Sequence, residues 1–381
     1  MIASEQKTCR RGKRWRAVAA ACALLLAAAP TLADEPRAPE LPRPEQAPLL
    51  ITPTAIGAIE YRPGRGLKIG DSGLTLGGFS TIAMSRFEGD HARLRLDDLD
   101  LFVFFDPTAY LHLFADIGFD RLIELDEDGH EDSSGAEVSV ERLYGDLSVS
   151  DRLNVRFGKF LTPVGRWNQV PAEPLVWTTS RPLVTARPFD EHVSGAALWG
   201  SVFPSRGSLT YTVYGQFLDD FAERTHGPSE TFDLTERQSP AQDGAGARLD
   251  FSTFRSWSVG TSVFSFARHG EWNHLAGVDG LWQGERVEVS GELLAGRGDP
   301  DGHRIVGLYV QPVVELASEV HAIARYEYYD PGAHEPPLHL FDVGVAWRPL
   351  PLLILKADYL FANRRSNVDP AGLRASVSLL F

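Results

Sequence analysis

Residues 320–329 read Val320-His321-Ala322-Ile323-Ala324-Arg325-Tyr326-Glu327-Tyr328-Tyr329. On an extended chain successive side chains point to opposite sides. Val320, Ala322, Ala324, Tyr326 and Tyr328 therefore share one face, and His321, Arg325 and Glu327 share the other. The alternation returns in 352–361, where Leu353, Leu355, Ala357, Tyr359 and Phe361 oppose Lys356 and Asp358. In 287–295, Val287, Val289, Gly291, Leu293 and Ala295 oppose Glu288, Ser290 and Glu292. Near 109–125, Leu111, Leu113, Ala115, Ile117 and Phe119 oppose His112, Asp116 and Asp120. This is the period of a strand with two unlike faces, and no long helical period appears after Asp34.

Sixteen segments carry the pattern: roughly 74–87, 92–106, 109–125, 137–149, 153–161, 192–202, 208–219, 244–252, 257–267, 273–283, 286–297, 304–316, 320–330, 338–348, 352–361 and 373–381. Several have the roughly 9–11 residues a tilted strand needs to cross a bilayer. Leu94 and Leu96 sit in opposite parity to Leu99, Leu101 and Val103, which predicts a bulge at Asp97-Asp98. The connections sort by length. Tight turns at Pro107-Thr108, Ser150-Asp151-Arg152, 203–207, 253–256, Gly284-Glu285, Ala317-Ser318-Glu319 and 349–351 alternate with the longer 126–136, 162–191, 220–243, 298–303, 331–337 and 362–372. Only the connections near 88–91 and 268–272 are of middling length. A transmembrane barrel has short turns at one rim and long loops at the other. A soluble sandwich has no reason to sort its loops by parity. In lipid no water caps a free strand edge, so spanning strands must close. The predicted fold is all-β, a transmembrane antiparallel β-barrel of about 16 strands. Phe87, Phe160, Trp199, Trp257, Trp272, Trp282, Trp347 and Phe361 fall near segment ends, where an interfacial girdle is expected.

The N-terminus places the barrel. Lys7, Arg10, Arg11, Lys13, Arg14 and Arg16 precede an apolar run from Ala17 to Ala29, and Thr31-Leu32-Ala33 offers small residues for cleavage. Residues 1–33 read as a secretory signal peptide, followed by a Pro-rich periplasmic tail at 34–73 and the barrel at 74–381. Pro36, Pro39, Pro42, Pro44, Pro48, Pro53 and Pro63 disfavour a regular ladder in the tail. The whole chain carries a formal charge of −14; removing the leader takes six basic residues and one acid, leaving about −19. Such a surface is a poor match for nucleic acid. Both cysteines, Cys9 and Cys22, lie in the leader, which excludes a disulfide scaffold and any Cys chemistry in the mature chain. There is no H-E-x-x-H and no G-x-S-x-G, so no enzyme, cofactor or metal centre is expected. The acidic runs 126–132 and 298–302 read as solvated external loops within reach of lipopolysaccharide. The first lacks the EF-hand carboxylate, having Gly135 at the twelfth position from Glu124.

Two stretches carry a resemblance. The C-terminal Leu373-Arg374-Ala375-Ser376-Val377-Ser378-Leu379-Leu380-Phe381 is similar to the assembly signature of Gram-negative outer-membrane barrels. Arg142-Leu143-Tyr144-Gly145-Asp146-Leu147, then Arg156-Phe157-Gly158-Lys159-Phe160, Pro163-Val164-Gly165 and Gly195-Ala196-Ala197-Leu198-Trp199-Gly200 resemble porins related to the phosphate-selective porin O/P family. The resemblance covers about 60 residues. It implies a 16-stranded outer-membrane channel, commonly a homotrimer, for passive diffusion of small hydrophilic, charged solutes, delivered to the assembly machinery through Phe381. One departure is that the mature chain keeps only Lys68, Lys159 and Lys356, whereas phosphate-selective members carry many lumenal cations. The other classes weighed are a soluble periplasmic all-β binding protein and a barrel hydrolase.

The candidate site follows from the strand count. The segment 162–191 is the third long-side loop, and in trimeric porins that loop folds inward and sets the constriction. A 30-residue connection without alternation is itself a sign of function. Its charges are Arg166, Arg181 and Arg187 against Glu173, Asp190 and Glu191, a balance that suggests a transverse field, with Trp167, Leu175, Val176 and Trp177 as anchors. By parity the lumen-facing residues include Asp116, Asp120, Arg156, Arg248, Asp250, Asp279, Arg286, Glu288, Glu292, Arg325, Glu327, Asp342, Lys356, Asp358 and Arg374, since ionisable groups in a membrane segment must face water. The orientation is testable. Cysteines introduced at Ser133 and Ser239 should label with an impermeant thiol reagent on intact cells, and one at Ser150 should not; the opposite labelling would invert the topology.

Overall fold

The computed structural model describes residues 54–56, 59–133, 136–218, 243–254, 256–268, 271–297, 304–332, 336–363 and 370–381. Sixteen long strands form the barrel: β1 (Leu74–Phe87), β2 (Arg93–Phe105), β3 (Leu111–Asp126), β4 (Glu137–Ser150), β5 (Leu153–Leu161), β6 (His192–Val202), β7 (Gly207–Gln216), β8 (Asp243–Thr253), β9 (Trp257–Arg268), β10 (Glu271–Gln283), β11 (Val287–Arg297), β12 (Arg304–Ala317), β13 (Val320–Asp330), β14 (Leu338–Leu350), β15 (Leu353–Ala362) and β16 (Gly372–Leu380). Each pairs antiparallel with its chain neighbours, and β16 returns to β1, Gly372 opposite Phe87 and Leu380 opposite Phe79. The ring is closed and has no edge to cap. Phe381 extends the seam: its N–H donates to the Gly78 carbonyl at 2.9 Å and its carbonyl accepts from the Gly78 N–H at 3.1 Å. The register shift between Leu96 and Asp98 is the bulge that the broken parity anticipates.

The N-terminal tail departs from expectation. Ile59–Arg62 and Gly66–Ile69 form a short antiparallel ribbon, and 67–69 pair on with 74–76. Pro63 does not prevent this because it lies in the turn between the two strands, where its missing N–H costs no ladder bond. The leader at 1–33, most of the tail, and the loops 220–243 and 298–303 lie wholly or almost wholly outside the described residues.

The two faces are chemically distinct. On β13, Ile323, Arg325, Glu327 and Tyr329 are buried inside while Ala324 is exposed outside. Ile82, Met84, Leu293, Val310, Phe341, Val343, Val345 and Val377 are exposed on the outer face. On a water-soluble chain so continuous an apolar belt would be a liability; it is what a lipid-facing barrel wall requires. Trp257, Trp272, Trp282, Trp347 and Phe361 point outward near strand ends as a girdle, each about half exposed. Phe87, Phe160 and Trp199 do not join it. Phe160 is buried with Val164, Val184 and Val193, Phe87 lies under the Arg374 guanidinium at 5.4 Å, and Trp199 follows the outward Leu198 and so turns in. Their parity overrides their position near a rim. Arginine at outward Ala324 should destabilise the barrel by about 2–4 kcal/mol if it sits near the bilayer midplane, and far less at inward Ser290. Unfolding titrations in lipid check this, and equal penalties would contradict the face assignment.

Candidate functional site

The segment 162–191 is tied at its base. The Thr162 N–H donates to the Glu191 carbonyl at 2.7 Å and its hydroxyl to the Asp190 carbonyl at 2.6 Å. The Asn168 amide donates to the Thr162 and Glu191 carbonyls. Within the segment are 3-10 turns at Trp167–Gln169 and Glu173–Leu175 and one short helix, α1 (Leu183–Ala186). The segment folds into the barrel, and the inner wall supplies its hydrogen-bond partners.

Glu292 on β11 is the first anchor. Its Oε1 accepts from the Arg166 N–H at 2.9 Å, the Trp167 N–H at 2.5 Å and the Tyr309 hydroxyl at 3.2 Å. The two N–H groups belong to the start of the first 3-10 turn, where no backbone acceptor is available. Gly165 makes this possible: its φ is +67°, and a Cβ would sit 2.1 Å from Glu292 Oε2. Further anchors follow along the loop. Trp177 Nε1 donates to Glu288 at 2.8 Å. The Thr179 N–H and hydroxyl each donate to the Asp358 carboxylate at 2.9 Å. The Leu183 N–H, at the start of α1, donates to Glu327 at 2.7 Å. Arg325 donates to Thr178, to the Ser180 carbonyl at 2.7 Å and to Asp342 at 3.2 Å. Lys356 bonds the Glu173 carboxylate and the Glu173 and Thr178 carbonyls. Apolar contacts complete the seat: Val164, Val184 and Phe189 pack with Phe264, Phe266 and Tyr309, and Leu183 packs with Leu338, Leu340 and Leu360.

Of the fifteen wall residues named by parity, fourteen lie on the inner face: Asp116, Arg248, Asp279, Glu292, Arg325, Glu327, Asp342, Lys356, Asp358 and Arg374 are buried, and Asp120, Arg156, Asp250 and Glu288 half-buried. Arg286 is instead exposed in the tight turn before β11, beyond the reach of the strand alternation. Many wall charges meet an opposite charge: Arg142 with Asp116 and Arg156 with Asp146, both at 2.7 Å, Arg248 with Asp279 at 2.6 Å and Arg325 with Glu327 at 2.7 Å. The loop charges are arranged differently from the anticipated field of three arginines against three acids. Arg181 pairs with Glu191 and lies over Trp167, Glu173 pairs with Lys356, and Asp190 pairs with Arg268 at 2.8 Å. Arg166 donates to the Ser258 hydroxyl at 3.0 Å, and Arg187 is half-buried. Of the expected anchors, Leu175 is half exposed and Val176 buried, while Trp167 and Trp177 pack against the inner-wall clusters.

Arg142, Asp146 and Arg268 also belong to the charged inner wall. A register shift between Asp116 and Ile117 skips Glu141 in the ladder between Val140 and Arg142 and hides the phase of β4. Arg268 shares the parity of Phe264 and Phe266 and was legible. At the long-loop rim Asp126, Asp128 and His130 bring ligand atoms within 4.8 Å of one another, but they are solvent-facing and already hydrogen-bonded among themselves.

No family model matches the chain. A curated relative, an uncharacterised protein of Aquifex aeolicus (strain VF5), is 24% identical over 310 residues, 69% of this chain and 70% of its own. Solved structures that resemble it include OmpF of Salmonella typhi, with a TM-score of 0.56 and 11% identity over 82% of this chain and 99% of that one. The anion-selective porin of Comamonas acidovorans aligns with a TM-score of 0.55 and 14% identity over 81% and 99%. The trimer form of OmpT from Vibrio cholerae aligns at 0.54 and 12% over the same shares. At these identities the likeness establishes the porin-like 16-stranded barrel fold. The seat of the loop can be tested directly. Glu292→Ala should leave two buried N–H groups unpaired, at about 1–3 kcal/mol each. Amide exchange at Arg166 and Trp167 should then accelerate while the barrel still resists SDS until boiled; unchanged exchange would show that Glu292 does not hold the loop.

Proposed function

We propose that this chain is an outer-membrane diffusion porin that passes small hydrophilic, charged solutes through a water-filled lumen, is exported by a cleaved signal peptide at 1–33, and assembles as a homotrimer. The observation that carries the reading is the combination of an apolar outer belt with a charged inner wall across which a connecting segment is folded and latched. A soluble binding protein would have no use for the belt. Outer-membrane lipid would cover it, lipopolysaccharide would meet the long-loop rim, and the assembly machinery would read the seam that ends at Phe381. The loop charges Arg166, Glu173, Arg181, Arg187, Asp190 and Glu191 shape the constriction chiefly by holding the segment in place. No catalytic role is assigned.

Phosphate selectivity is not part of the proposal. The lumenal Arg142, Arg156, Arg248 and Arg325 are each salt-bridged to a carboxylate, which cancels most of the positive potential a phosphate would need. Liposome swelling tests the channel reading. Purified protein should admit pentoses quickly and larger oligosaccharides progressively more slowly, with dextran excluded. Swelling no faster than that of empty liposomes would overturn it.

A further inference from the structure

We infer that the inner wall formed by β1–β4 is a recognition strip for small organic cations that carry an aromatic ring; the inference rests on the channel reading above. The hydrogen bonds described above carry the inward segment to β9, β11 and β13–β15. In a closed ring of sixteen strands, β2–β4 lie across from β10–β12.

The strip has two adjoining parts. The first is a run of aromatic rings on the inner face toward the short-turn rim. Phe79 and Phe102 have ring centroids 5.8 Å apart, Phe102 and Phe114 5.8 Å, Phe104 and Phe114 4.9 Å, and Phe114 and Tyr144 5.3 Å. A lumen wall is expected to be polar, so contiguous rings there call for a ligand with an apolar surface. Phe104 is 40% exposed, so a ring remains available to solute. The neighbouring rings already hold cations from within the chain. The Arg142 guanidinium lies 4.9 Å from the Phe114 centroid and that of Arg156 3.9 Å from Tyr144.

The second part lies directly above, toward the long-loop rim. Asp100 is opposite Phe79 and Gly118; Asp98 is opposite Asp120, and Asp120 is opposite Glu137. Like charges placed directly across a ladder are unfavourable, and elsewhere on this wall Asp116 faces Arg142 and Asp146 faces Arg156. Neither the Asp98 nor the Asp100 carboxylate forms a side-chain hydrogen bond or salt bridge with another described residue. Gly118 lets the Asp100 carboxylate lie close to the wall, since a Cβ there would stand 3.1 Å from both Asp100 Oδ1 and Ser139 Oγ. A cationic solute with a ring meets both parts at once: its charge at Asp98 and Asp100, its ring against Phe102 and Phe104. Anions are disfavoured at Asp98 and Asp100, where the nearby Arg142 is already engaged by Asp116 and Arg121 by Glu137.

Planar-bilayer recordings with the full-length protein test this. In a KCl gradient the wild type should reverse on the cation-selective side. Asp98→Asn, and separately Asp98→Asn with Asp100→Asn, should move the reversal potential toward zero, while Asp98→Glu should preserve it. Benzylammonium should reduce the KCl current at lower concentration than methylammonium. Phe102→Leu with Phe104→Leu should weaken the benzylammonium block roughly threefold or more without moving the KCl reversal. An anion-side reversal, indifference to the Asp98 and Asp100 substitutions, or equal block by the two amines would overturn the inference and leave the channel reading standing. A wild type without conductance would overturn both.

Discussion

A strand in lipid cannot leave its backbone groups unpaired, and the ladder between β16 and β1 is where this chain meets that constraint. Every strand then has two hydrogen-bonded neighbours. Closure forces one face of each strand toward lipid and the other toward the lumen, so the sequence must alternate along all sixteen. It also explains why the last residue is structural. Phe381 exchanges two backbone hydrogen bonds with Gly78 and completes the seam rather than hanging from it.

Closure creates a second problem, which the segment 162–191 answers. A charged wall needs partners wherever water is displaced, because a buried charge left unpaired costs roughly 3–5 kcal/mol. Where the loop covers the wall, it supplies those partners from its own backbone. Glu292 receives two loop N–H groups, Asp358 and Glu327 one each, and Lys356 reaches two loop carbonyls. The wall carboxylates therefore hold the loop, and the loop in turn satisfies them. On β2 and β3 the wall keeps Asp98 opposite Asp120, while Asp116 faces Arg142 and Asp146 faces Arg156.

Much of this was legible from period two alone. The strands 74–87, 153–161, 192–202 and 320–330 begin and end where the alternation does, and inward residues such as Arg325 and Asp342 follow from their neighbours on the same strand. The failures have separate physical origins. The register shift at Glu141 concealed Arg142 and Asp146, and position near a rim misassigned Phe87, Phe160 and Trp199, whose parity turns them inward. The tail ribbon was missed because prolines were weighed without their place in a turn. The ion pairs of the loop could not be read at all. Glu173 and Lys356 are 183 residues apart, and Asp190 and Arg268 are 78 apart. Only the closed ring brings them together.

The central claim is that 162–191 lies in the conducting path, latched to the wall. Single-channel conductance compares the wild type with a chain in which 168–188 is replaced by a short Gly/Ser linker, both first shown to be intact barrels by heat-modifiable migration. The account predicts a clear rise in conductance and broader solute passage once the segment is removed. Equal conductance in the two proteins would contradict it, placing the segment outside the path and the constriction elsewhere on the wall.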